Sequence, residues 1–91
     1  MEYRGWVEVQ NIHREDEDVW GPWFDLLHDQ FARFGPALGW EKDAACVVMS
    51  IEAESRGSAA RVMFSAVADS LILRGLGDHF PRSVRVEIAE G

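Results

Sequence analysis

Residues 45–76 restrict the fold of this chain more than any other stretch: an apolar segment of period two runs through a polar turn into one of helical period. Val47, Met49, Ile51 and Ala53 alternate with Val48, Ser50, Glu52 and Glu54, and β-branched residues at that spacing form a strand. Cys46 and Val48 make its first half apolar on both faces, the pattern of a central strand. Residues 55–58, Ser-Arg-Gly-Ser, supply a turn and a candidate N-cap. From Ala59 the spacing predicts a helix with Ala60, Met63, Phe64, Val67 and Leu71 on one stripe, stopped by Gly75 and Gly77. A second stripe, Ala59, Val62, Ala66 and Leu73, exceeds what one sheet face uses, so part of it is expected against another helix or another chain.

The remaining elements follow from the same rules. Residues 3–10 alternate, with Tyr3, Gly5, Val7 and Val9 on one side and Arg4, Trp6, Glu8 and Gln10 on the other. Glu15, Asp16, Glu17 and Asp18 form a charged loop, and Gly21-Pro22 opens a helix, with proline at its first position and Asp25 near the positive end of its dipole. Trp23, Leu26, Leu27, Phe31 and Phe34 make its buried stripe, and Gly35-Pro36 ends it. Residues 37–40 have room for a short strand, residues 41–44 turn it into the next, and residues 83–88 alternate with Val84, Val86 and Ile88 inward.

The order is strand, helix, strand, strand, helix, strand. With right-handed crossovers this gives an α+β, ferredoxin-like βαββαβ plait: a four-stranded antiparallel sheet with two helices on one face. Residues 1–91 form a single domain, of a size that buries roughly 60–65% of the unfolded chain's surface, and a homodimer would add burial.

Charge narrows the partners. The formal net charge of −7 is uneven: ten acids face four bases in residues 1–45, a balance of −6, and six face five in residues 46–91, a balance of −1. Nucleic-acid affinity comes mainly from phosphate neutralisation, so the balance points away from nucleic acid and toward a basic protein surface. The single cysteine, Cys46, has no internal disulfide partner and reads as a small buried hydrophobe. With no charged-then-apolar leader and no apolar run of membrane length, the sequence reads as soluble, cytoplasmic and without a membrane partner.

The reactive residue types form no signature. His13, His28 and His79 lie on separate elements without ligand spacing. Asp16, Asp18 and Gly21 start like a calcium loop, but Trp20 holds the fifth position and Leu27 the twelfth. The serines lack a nucleophile elbow, and no glycine-rich phosphate loop occurs. No catalytic residue, metal site or cofactor is expected.

Two segments carry a family resemblance. Val9-Gln10-Asn11-Ile12-His13-Arg14 and Gly39-Trp40-Glu41-Lys42-Asp43, with a closing strand at residues 84–87, resemble the phosphate-binding loop and the water-positioning segment of acylphosphatases. The resemblance implies the plait fold and a hydrolase in which Arg14 binds the acyl phosphate. In this chain Asn11 stands where that family has glycine, Arg14 comes one residue early, and Asp43 replaces the asparagine. Glu15 to Asp18 then add negative charge where an anionic substrate would dock. The architecture is also similar to ACT-like regulatory modules, which implies a small ligand at a subunit interface.

Four tryptophans are many for this length, and Trp20, Trp23 and Phe24 follow the acidic run directly. Trp23 belongs to the buried stripe, whereas Trp20 is read as preceding the helix. Aromatic residues ringed by charge are frequent at binding surfaces. Glu15, Asp16, Glu17, Asp18 and Trp20 are therefore the candidate partner-binding residues, and Trp6, on the polar strand face with Val48, is a candidate dimer contact. The expected function is a non-enzymatic, homodimeric protein-interaction or accessory module. Its alternatives are an ACT-like ligand module and a diverged acylphosphatase-type hydrolase.

Overall fold

The computed structural model describes residues 1–41, 44–79 and 81–89. Four strands, β1 (Glu2–Gln10), β2 (Ala37–Glu41), β3 (Ala44–Glu52) and β4 (Pro81–Ile88), and two helices, α1 (Glu17–Gln30) and α2 (Arg56–Leu73), follow in the order β1, α1, β2, β3, α2, β4. The strands form one antiparallel sheet in the order β2-β3-β1-β4. The β2–β3 connection runs through residues 42 and 43, which lie outside the described residues.

Alternation decides which face is dry. Tyr3, Val7 and Val9 of β1, Ala45, Val47, Met49 and Ile51 of β3, and Val86 of β4 enter one cluster with Trp23 and Leu27 of α1 and Ala59, Met63, Val67 and Leu71 of α2. Ile12, just beyond β1, is 2% exposed and closes one end. The opposite face keeps Arg4, Trp6, Glu8, Val48 and Arg85 half-buried or exposed.

Both helices start earlier than their apolar spacing implies. Helix α1 begins at Glu17, so Pro22 lies inside it and Asp25 in its middle, and the charge complementing the helix dipole comes from Glu17 and Asp18. The acidic run is thus the approach and first turn of α1 rather than a loop ahead of it. Its end also differs: α1 stops at Gln30, a 3-10 turn at Ala32–Phe34 follows, and Gly35 caps that turn. Helix α2 begins at Arg56, three residues before Ala59, because Ser55 Oγ accepts the Ser58 amide at 3.1 Å, a cap worth about 1 kcal/mol.

At the other end of α2, Gly75 has φ +73°, its amide reaches the Ile72 carbonyl at 3.0 Å, and the Leu76 amide reaches the Leu71 carbonyl at 2.8 Å. This paired closure uses a left-handed residue that glycine supplies without a Cβ penalty. The second apolar stripe divides: Ala59 and Ala66 are buried, whereas Val62 and Leu73 are 43% and 63% exposed.

Candidate interaction surfaces

The two helices are tied by a polar link inside the core. Trp23 Nε1 donates to Ser70 Oγ at 2.8 Å, and that hydroxyl donates to the Val67 carbonyl at 2.7 Å. Ser70 is completely buried, so each polar atom of the pair is answered within the protein. In the sequence Ser70 is one of several serines without a nucleophile elbow. Its burial follows from Trp23 packing over it, a tertiary fact with no local signal.

Trp20 is the fourth residue of α1, not a residue ahead of the helix. Its ring meets Trp40 of β2 edge-on at 5.2 Å between centroids, and its Nε1 donates to the Arg14 carbonyl at 2.9 Å. Half-buried and packed against the core, Trp20 holds the loop of residues 11–16 to the start of α1. In that loop Asn11 takes the left-handed conformation at φ +61°, and asparagine is among the few side chains that tolerate it.

Glu15, Asp16, Glu17 and Asp18 are all exposed, and no ion pair engages them among the described residues. The helix carries the charge further than the run itself. Asp18, Asp25 and Asp29 are exposed at spacings of seven and four, which places them on one line along α1, about 16 Å long at about 1.5 Å per residue. Asp25 and Asp29 were legible in the sequence as the i+7 and i+11 partners of Asp18, once the helix start is placed at Glu17.

The second surface is the open face of the sheet. Cross-strand register fixes its layout: Glu41 lies beside Ala44, Gly39 beside Cys46, Ala37 beside Val48, Trp6 beside both Val48 and Arg85, and Glu8 beside both Cys46 and Ser83. The β2–β3 half therefore carries small side chains, and the β1–β4 half carries Trp6 and Arg85, whose guanidinium sits 4.6 Å from the ring centre, a cation–π contact. A step separates a low shelf from a ridge, and a hollow of about 210 Å³ lies at its foot, with Cys46, Glu41 and Ala44 among its lining residues.

Two details shape this face. The β1–β4 register shifts between Glu8 and Val9, so Arg82 is the extra residue of a bulge, and its guanidinium reaches Glu8 at 3.7 Å. Bulges commonly re-aim a side chain in this way. Burial, then the Glu41 and Glu8 carboxylates, push the Cys46 thiol above its ordinary range, with Arg85 opposing. Cys46 is thus protonated near neutral pH, a weak nucleophile rather than an activated one.

Among the described residues, no group of three or more His, Cys, Asp and Glu side chains is placed to hold a metal ion, and no helix is long and apolar enough to cross a membrane. Of the residues bearing the acylphosphatase resemblance, Arg14 is exposed, Ile12 is buried in the core, Gly39 and Trp40 lie in β2, and Asp43 lies outside the described residues. No family model matches the chain, and no curated protein or solved structure shows detectable similarity to it.

Proposed function

We propose that the chain is a ferredoxin-like plait domain that serves as a homodimeric, non-enzymatic interaction module, docking a basic segment of a partner protein along the acidic side of α1. The strand order β2-β3-β1-β4, with a helix between β1 and β2 and another between β3 and β4, supports the plait. The exposed line of Asp18, Asp25 and Asp29, continuous with Glu15 to Glu17, carries the functional reading. Carboxylates in one row attract a cationic helix or extended segment and speed its encounter. Trp20, held by Arg14 and Trp40, fixes the helix start that presents them.

The test is quantitative capture from the native cell with three baits: the unaltered chain, a triple Asp18→Lys, Asp25→Lys, Asp29→Lys variant, and an Asp69→Lys control at an exposed position of α2. Exposed ion pairs contribute about 0.2–1 kcal/mol each, so the triple reversal is expected to weaken a bound basic protein by about tenfold or more. Asp69→Lys is expected to leave it bound. Identical recovery on all three baits would remove the α1 reading.

A further inference from the structure

We infer that the open face of the sheet receives a second copy of this chain, with the two-fold axis parallel to the strands between β3 and β1. The inference deepens the homodimeric part of the reading above by naming the surface, and it does not depend on the α1 site. Three observations carry it.

Shape is the first. A two-fold axis along the strands lays the β1–β4 half of one copy over the β2–β3 half of the other, so the Trp6–Arg85 ridge of each descends onto the Ala37, Gly39 and Val48 shelf of its partner copy. An axis across the strands would instead set Trp6 on Trp6 and Arg85 on Arg85, leaving the shelves apart. Only the first arrangement is self-complementary, as a two-fold interface has to be.

Charge is the second. The same axis places the β2 edge of one copy over the β4 edge of the other, bringing the exposed Glu41 toward Arg82, the residue that the bulge turns onto this face. The contact occurs twice, once at each edge, and each Glu41 faces an Arg82. The same axis lays Glu2 over Glu52 of the second copy, a like-charge contact at the rim that the Met1 amino group, 3.1 Å from Glu52, offsets and that water and salt screen.

Area is the third. Strands about 4.8 Å apart that rise about 3.3 Å per residue give these four strands a face of about 500 Å² per copy in projection. Two copies therefore bury about 1,000 Å² before side-chain relief is counted, which reaches the roughly 1,000 Å² a specific interface needs and suits a weak dimer rather than an obligate one. The dimer leaves α1 on its outer side, so each assembly presents two acidic rows. A partner with two basic segments would then gain avidity.

Sedimentation equilibrium on the whole chain tests this. The unaltered protein is expected to pass from monomer to dimer across the micromolar range, and alkylation of Cys46 is expected to slow as dimer forms. Val48→Arg is expected to abolish the dimer. Glu41→Arg and Arg82→Glu are each expected to weaken it about tenfold or more, since each makes two like-charge contacts, while an equimolar mixture of the two regains it as a heterodimer. These two substitutions are on exposed residues and leave the core untouched, so circular dichroism should match the unaltered chain. A chain that stays monomeric, a dimer indifferent to Val48→Arg, or a mixture that fails to associate would overturn the inference. The Asp18, Asp25, Asp29 triple variant is expected to sediment like the unaltered chain, which keeps failure of this interface distinct from failure of the α1 site.

Discussion

Gly5→Ala is expected to destabilise the domain by about 2 kcal/mol. The residue is buried in the middle of β1, directly beneath α2, and a Cβ there would overlap Met63 Sδ and approach the Arg85 carbonyl to 3.4 Å. A thioether can turn aside when it has space, but Met63 is fully enclosed. Overpacking costs about 1–3 kcal/mol, and with two atoms of an enclosed side chain in the way Gly5 falls near the upper end, so about 2 remains after the smaller chain entropy of the unfolded Ala variant offsets about 0.4–1. At about 4–8 °C per kcal/mol for a domain of this size, the midpoint of thermal unfolding should fall by roughly 8–16 °C. Met63→Ala opens the needed space, so it is expected to cost less in the Gly5→Ala background than alone, a coupling visible in a urea-denaturation cycle. Additive free energies in that cycle would show that Gly5 is not set by Met63.

Ser70→Ala should also destabilise, by about 1–2 kcal/mol. The substitution leaves the Trp23 indole N–H without an acceptor in a dry site, a penalty of about 1–3 kcal/mol. Against this, alanine suits the interior of α2 better than serine by about half a kcal/mol. The penalty wins because the hydroxyl is the acceptor at 2.8 Å and no water surface is near. Trp23→Phe removes the donor instead. In the double variant neither group is left orphaned, so its loss of stability should be smaller than the sum of the two single losses. Equal melting of Ser70→Ala and the unaltered chain would mean the link contributes nothing.

Strands β1 and β3 were legible because one face of each is dry: a period of two leaves Val7 and Val47 no alternative side. Strand β4 follows the pattern less well, since Val86 is buried and Val84 half-buried but Ile88, expected inward, is 48% exposed where the strand ends. The helix starts were less so. In α1 the Gly21-Pro22 pair is a strong opening signal, and it masks the weaker preference of Glu17 and Asp18 for the first turn, so the acidic run reads as loop and Trp20 as an outlying residue. The start of α2 at Arg56 is masked likewise, since Arg56, Gly57 and Ser58 face water and add nothing to an apolar stripe. What Trp20 does depends on Trp40, twenty residues away on β2, and no local pattern records that meeting.

The open face was legible only in part. Alternation puts Trp6 and Val48 on it. The step between shelf and ridge, however, arises from which strands are neighbours, and Arg82 faces outward only because of a bulge whose position is set by the β1–β4 register. Both are properties of pairing across the chain. The acidic row on α1 lies between these cases: its residues are visible as charges, but they align only when the helix begins at Glu17.

The most direct measurement is an isotope-filtered nuclear Overhauser spectrum on a sample mixed from labelled and unlabelled chains, which registers only contacts between copies. Cross-peaks from the Trp6 indole protons to the Val48 methyl groups are expected, with none from α1 side chains. Intermolecular peaks confined to α1 or α2, or none at concentrations where sedimentation shows a dimer, would contradict the assignment of the sheet face to a second copy.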